Sequence, residues 1–287
     1  MQGISRRQFF GRGTAGIAAA GYLTAGAREL AADPLGLPLG FQSYSVRQMI
    51  DKDFAGTLRQ FAGIGYKTVE MCSPPGYGGP GFGALASMKG PELRRIIEDA
   101  GLRCTSCHYQ FKELKENLSE RIDFAKELGM KQMVLASTSI RPGSPMDEWR
   151  RAADALNKAG EGTKKAGIQL AFHNHNGEFE KIDGVLIYEE LLRRLDPKVV
   201  KMQFQVAVIS AGYEAAPFFE KYPGRFVSMH LADWAPAEKK IVAVGQGVVD
   251  WKKLFTAAKK GGVKNYFVEV SPDALKASLP YLHNLKV

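Results

Sequence analysis

The chain has 287 residues, of which 45% are hydrophobic and 24% charged. That is the composition of a soluble globular protein large enough for one sizeable core, and it excludes a disordered or fibrous chain. The net charge of +9 contains no basic run of five or more residues, and three of the arginines fall in the first 27 residues, leaving +6 beyond them; such a spread argues against a nucleic-acid footprint.

In chain order, the first feature is Ser5-Arg6-Arg7-Gln8-Phe9-Phe10, followed by a weakly apolar Ala/Gly-rich stretch over 16–26 and the A-x-A-like Ala25-Gly26-Ala27. This resembles a twin-arginine export signal with its cleavage site. The stretch is too short and too rich in glycine to span a membrane. The expected organisation is therefore a signal segment over 1–27, a linker over 28–37 and a folded body over 38–287. Its expected partner is the twin-arginine export machinery and its expected location the periplasm.

From residue 38 onward, short apolar runs alternate with helical patterns. Strands are expected at 39–44, 66–72, 102–108, 131–136, 168–174, 200–205, 225–231 and 264–270. Helices are expected at 53–64, 91–100, 113–128, 146–166, 184–195, 213–221, 250–260 and 274–285. Residues 73–83, rich in Gly and Pro, read as a long loop. Five helix-to-strand joints share one form: Gly65-Tyr66, Gly101-Leu102, Gly129-Met130, Gly167-Ile168 and Gly262-Val263. Glycine just past a helix end takes the left-handed conformation that stops the helix. Its recurrence marks a βα repeat. Eight such units in one chain of this size predict a single (β/α)8 TIM barrel of the α/β class. An open doubly wound sheet is the rival, but no glycine-rich phosphate loop follows the first strand.

In such a barrel the active site lies at the carboxyl ends of the strands. Side chains alternate across each strand, so apolar outward positions identify the inward ones. By that rule Glu70, His108, His173, His175, Gln203, Gln205, His230 and Glu269 point inward, and His108 shares its face with Ser106 and Cys104. Four of the five histidines then gather at strand ends, with His283 left on the surface. Imidazoles and carboxylates in one mouth suit a divalent ion and proton transfer near neutral pH. Cys104 and Cys107 have C-x-x-C spacing, but positions three apart on a strand face opposite ways, which opposes a disulfide or a shared metal.

Six stretches together, GFQSYSVR, GYKTVEM, FHNHNGEF, MHLADW, GQGVVDW and FVEV, resemble the xylose isomerase-like TIM barrels. This is the sugar phosphate isomerase/epimerase superfamily, which also includes inosose dehydratases and endonuclease IV. The resemblance covers about residues 38–287. It implies a divalent metal (Mn, Zn, Co or Mg) held at His173, Gln205, His230 and Glu269. Gln205 stands where the epimerases carry Asp, and His173 where they carry Glu, so the site has two fewer negative charges. An alternative ligand set is His173, His175, His230 and Glu269. Ala232 stands where many relatives have lysine.

The chemistry implied is acid/base proton transfer next to a carbonyl, with Glu269 as base and His173 or His175 returning the proton. Glu70, His108 and Glu178 are placed to hold sugar hydroxyls, and Trp234 and Tyr77 to cover an apolar sugar face. The leading expectation is an exported sugar or keto-sugar isomerase/epimerase. Its alternatives are a lyase/hydratase acting on keto-glycosides and a non-catalytic sugar-binding barrel with a degenerate metal site. A repair endonuclease is rejected, because its trinuclear zinc ligand set is incomplete. A homo-oligomer is compatible with the sequence.

Overall fold

Eight parallel strands close into a barrel in the computed structural model, which describes residues 34–287. The export-signal segment expected over 1–27 and the first part of the linker lie outside the described residues. The strands are β1 Gly40–Gln42, β2 Thr68–Cys72, β3 Arg103–Gln110, β4 Gln132–Ser137, β5 Gln169–His173, β6 Val200–Gln205, β7 Phe226–Leu231 and β8 Asn265–Val268. Each pairs with its neighbour in chain order, and β1 closes the ring against β8 through Gly40–Phe267 and Phe41–Val268. This is the expected (β/α)8 barrel. Among the described residues no helix is long and apolar enough to cross a membrane.

The five joint glycines do what the sequence requires of them: their φ values run from 76° to 131°, a region closed to most side chains. Helix starts are fixed by caps. Asp53 accepts from the Gly56 amide, Asp250 from that of Lys253 and Ser271 from that of Ala274, each filling one of the donors a helix leaves open. Gly40 is needed for a different reason. A Cβ there would stand 2.4 Å from Thr68 Oγ1 and 2.5 Å from Phe267 Cδ1, so β1 can sit between β2 and β8 only without a side chain.

The core is the layer between strands and helices. Phe41 packs its ring 5.0 Å from Phe61 and 5.3 Å from Tyr66. On the far side Phe204 is surrounded by Tyr188, Phe218, Phe219 and Phe226, all within 5.8 Å. Large aromatics dominate such burial because each removes much apolar area from water.

Some expectations are corrected. The helix expected over 113–128 is two, Phe111–Glu116 and Leu118–Leu128, broken where Asn117 leaves helical geometry. A short helix, Arg47–Lys52, and two hairpins, Lys181–Leu186 and Asp233–Val242, were not foreseen. Cys104 does not share a face with His108. Val69 pairs with Cys104 but Glu70 with Ser106, so Thr105 is an extra residue in β3 and Cys104 is turned toward the helices, beside Ile97 and Leu128. A bulge re-aims side chains in this way. All three cysteines are free and buried. His283 is half-buried, close to Gly65 at the end of the barrel opposite the strand tips.

Candidate active site

The floor of the mouth is built around Glu70 of β2, which is fully buried. Its Oε1 accepts from Ser106 Oγ and from Gln203 Nε2 at 2.8 Å. Its Oε2 accepts from Gln42 Nε2 at 2.7 Å, faces His108 Nε2 at 3.1 Å and meets His230 Nε2 in a short contact. Gln203 also donates to Ser228 Oγ at 2.9 Å, and its Oε1 lies 2.8 Å from His108 Nε2. Burial pushes the Glu70 carboxyl up, but His108 and His230 overcome this and hold it well below the usual range. With both oxygens occupied and no solvent face, Glu70 has no capacity left for a sugar hydroxyl. The expected substrate contact is replaced by a structural role beneath the histidines.

Three imidazoles lie on this floor. His108 of β3 and His230 of β7 stack with ring centroids 5.1 Å apart, and His173 of β5 stands 5.0 Å and 4.5 Å from them. One ring nitrogen from each falls within 4.8 Å of the others. His108 thus belongs to a ligand-like cluster rather than to the substrate side. His173 Nδ1 is buried without a partner, and burial together with the neighbouring rings lowers its pKa well below the ordinary value, so the ring is neutral. His230 behaves oppositely. Burial lowers its pKa, yet Glu269 and Glu70 more than reverse this, to about 10. The cluster therefore has a neutral imidazole with an open nitrogen and two carboxylates in contact with a third ring. That donor set fits a divalent cation, which would take the place of the proton His230 holds.

Glu269, just past β8, is the carboxylate that reaches the rim, its side chain 23% exposed. Its Oε2 accepts from Gln205 Nε2 at 2.6 Å and faces His230 Nδ1 at 2.8 Å. Its Oε1 has no hydrogen bond among the described residues. Burial raises its pKa, and the His230 cation reverses this to about 2, so the group is ionised. Gln205 was expected as a ligand. Its amide is already committed at both ends: the nitrogen holds Glu269, and the oxygen accepts from the Ala207 amide at 3.2 Å. In this arrangement it orients the carboxylate.

His175 follows β5 in extended conformation, its ring 4.9 Å from that of His173. His175 is exposed, whereas His108, His173 and His230 are buried. Desolvation on the inner side still lowers its pKa. Glu178 is buried; its Oε2 accepts from the His175 amide at 2.8 Å and so caps the turn Asn176–Phe179. Burial raises its pKa to about 7. It fixes the position of His175 and lines a cleft beside it.

Beyond β7, Asp233 is fully buried and accepts from the amides of Trp234, Gly245 and Val249 and from Trp251 Nε1. It ties the hairpin Asp233–Val242 to the segment leading into the helix Trp251–Gly261, and so sets the place of the half-buried Trp234. Tyr77 is buried between Tyr44 and Phe82, at 6.2 Å from each; it packs the loop over the mouth instead of facing it. Glu70, His108, His173, His175, Gln205, His230 and Glu269 thus stand together at the mouth, whereas Glu178 caps the turn after β5, Trp234 lies on the hairpin after β7 and Tyr77 is sealed away. Gln42, Ser106, Gln203 and Ser228 complete the floor without having been expected as site residues. For Ser106, Gln203 and Ser228 the signal is inward parity two residues before His108, Gln205 and His230 on the same strands; Gln42 ends β1, which carries none of the expected residues.

Comparison with known proteins places this geometry. Residues 58–284 match the model of the xylose isomerase-like TIM barrel. An inosose dehydratase of Lacticaseibacillus casei is 22% identical over 259 residues, covering 77% of this chain and 86% of the relative. The crystal structure of a sugar phosphate isomerase/epimerase from Parabacteroides distasonis superposes with a TM-score of 0.75 at 25% identity, covering 86% of this chain and 94% of the other. An IolI protein with a binding zinc atom shares the fold, with a TM-score of 0.61 at 13% identity over 86% of this chain and 94% of the other. The barrel, the strand-tip histidines and the extent of the match agree: the chain belongs to the xylose isomerase-like TIM barrel family, whose named relatives here are sugar-modifying enzymes.

Proposed function

We propose that the chain acts on a keto-sugar, with Glu269 removing the proton from the carbon next to the carbonyl. The observation that carries this reading is the asymmetry of Glu269: one oxygen is anchored by Gln205 and His230, and the other is free at the rim. A base must present an ionised, positioned atom to the proton it takes. The ion that the cluster fits would be held by His108, His173 and His230 with a carboxylate. When bound, it would supply Lewis-acid polarisation of the substrate carbonyl. Imidazole and carboxylate donors favour Zn2+ over Mg2+.

Elimination is the favoured outcome. Glu269 takes the proton, the electron pair passes toward the carbonyl as an enolate, and the bond from the β-carbon to oxygen breaks. The leaving oxygen takes a proton from His175. The products are an α,β-unsaturated ketone and an alcohol or water. His175 suits this role because its ring reaches solvent and its lowered pKa makes its protonated form a stronger acid. Two observations favour elimination over epimerisation. The curated relative above is a dehydratase. And Glu70 is sealed while β5 carries His173, so among the described strand-tip groups Glu269 is the carboxylate that keeps a free oxygen. The second reading is an isomerase/epimerase, with His175 returning the proton to the other face of the carbon; the name of the Parabacteroides neighbour favours it. The twin-arginine motif supports an exported enzyme in either case.

Product analysis after incubation with 3-keto-glucosides tests the proposal. Release of the alcohol together with an enone is expected. An isomeric keto-sugar without release would support the second reading, and tight binding with no reaction would leave a sugar-binding barrel. The pH dependence has a definite sign. For alkyl alcohols as leaving groups, kcat/KM falls as pH rises through the His175 pKa, at a midpoint below the ordinary histidine value of 6.5. For a leaving group that departs as a stable anion, that fall disappears. The metal is tested by elemental analysis of the signal-free protein: about one divalent ion per chain is expected, lost in His108→Ala and His173→Ala. Absence of bound metal, with no rise in thermal midpoint on adding Zn2+, would remove it from the account.

A further inference from the structure

A second cavity opens beside His175, between the loop after β4 and the turn after β5. It has a volume of about 230 Å3 and is lined on its apolar side by Ile140, Pro142, Trp149 and Ile187, and on its polar side by Ser137, Thr138, His175, Glu178 and Glu180. A volume of roughly 150 Å3 already admits a benzene ring, so this open cleft has room for one aromatic ring with a substituent. Trp149 comes from the helix Met146–Lys165, is 4% exposed, and its indole N–H has no partner among the described residues. An aromatic wall and a spare donor are what a planar, hydroxyl-bearing ligand uses.

We infer that this cavity receives the leaving group, an aromatic alcohol released from a keto-glycoside. The inference rests on the assignment of Glu269 and His175 above. Glu269 stands past β8 and His175 past β5, on strands that do not neighbour each other in the ring. A sugar placed with its acidic carbon at Glu269 and its β-oxygen at His175 must send whatever that oxygen carries beyond His175, and the space beyond His175 is this cavity. The loop that forms its lip holds Ser139 at φ 58°, a conformation uncommon outside glycine. Amide-to-hydroxyl bonds from Ser139 to Ser137 and from Ile140 to Thr138 hold the turn. Ile140 is thereby held in the wall of the cavity.

The test reads binding apart from catalysis. With the indole nitrogens labelled, the N–H resonance of Trp149 is assigned by its loss in Trp149→Phe, leaving those of Trp234 and Trp251. Titration with 4-methoxyphenol alone is expected to shift the Trp149 resonance and not the other two. Ile140→Phe, which narrows the cavity from the wall of the loop after β4 and replaces neither Glu269 nor His175, is expected to weaken that binding about tenfold and to raise KM for aryl keto-glucosides by a similar factor, leaving kcat/KM for methyl keto-glucoside unchanged. No shift at Trp149, or a shift confined to Trp234 or Trp251, would overturn the inference even if Ile140→Phe failed to fold. Equal aryl affinity in Ile140→Phe would do the same. Binding at Trp149 without any elimination activity would keep the subsite and remove the lyase reading. Elimination without binding at Trp149 would keep the lyase reading and remove the subsite.

Discussion

Glu269→Gln is expected to lower kcat by roughly 10²–10⁴-fold, the contribution of a positioned general base, while KM changes little. The substitution keeps the length of the side chain and an oxygen that can still accept from His230 Nδ1 and Gln205 Nε2. What is lost is the free, ionised oxygen at the rim. A fall in kcat with KM preserved marks an interaction made in the transition state and not in substrate binding. Gln205→Ala should produce a smaller fall in kcat, because it frees the carboxylate to rotate without removing it. Kinetics of the two variants beside the unchanged protein, on one keto-glucoside, check both. Equal activity in Glu269→Gln would move the base elsewhere, and His175 would be the group left to test.

The second large effect is on stability. Glu70→Leu is expected to destabilise the barrel by about 3–5 kcal/mol, the usual cost of breaking a buried ion pair by removing one partner. In a chain of this size that corresponds to a fall in thermal midpoint on the order of 10 °C. The reason is the number of groups that Glu70 satisfies. Gln42, Ser106, Gln203 and His230 all direct a donor at it, with His108 beside them, and none has another route to solvent. A change of less than about 1 kcal/mol, within the range of an ordinary surface substitution, would mean that the network is not under the strain of burial that the geometry implies. The pH dependence follows from the same groups. Glu70 and Glu269 are held below their ordinary values, so their contribution is complete above 4.5 and is lost as pH falls through the folded value, about 2 for Glu269. His230 is raised from 6.5 to about 10, so its contribution is complete below 6.5 and is lost as pH rises toward 10. The network therefore stabilises the metal-free barrel most between those limits.

Much of the fold was legible because its punctuation is local. A glycine that stops a helix and a strand that begins one residue later are properties of short segments, and Gly65, Gly101, Gly129, Gly167 and Gly262 repeat them. The inward parity of Glu70, His173, Gln205, His230 and Glu269 was legible for the same reason: apolar neighbours such as Met71, Phe172, Phe204 and Leu231 state which face meets the helices. Parity failed at Cys104 because a one-residue bulge at Thr105 reverses every side chain before it, and nothing in the composition of that strand announces the bulge.

The division of labour within the mouth was less legible. Glu70 and Glu269 look alike in sequence, each an inward acid flanked by apolar residues. They differ in depth, and depth depends on which partners reach them from other strands. Glu70 meets donors from four strands and is consumed by them, whereas Glu269 stands past the end of its strand and keeps one oxygen free. Gln205 has a ligand's position but an amide's hydrogen-bond requirements, and a neighbouring backbone amide and a carboxylate satisfy them. The cavity beside His175 was beyond sequence reading altogether, since Trp149 reaches it from a helix and Ile140 from a loop.

The most direct test of the central claim is deuterium exchange. The protein is incubated in D2O with a keto-glucoside whose β-substituent is a poor leaving group, and label is followed at the carbon next to the carbonyl. Uptake catalysed by the unchanged protein and abolished in Glu269→Gln is the predicted result, whichever way the enolate is later resolved. Tight binding of the keto-sugar with no uptake above the uncatalysed rate would contradict proton abstraction at this site, and with it the enzymatic reading of the barrel.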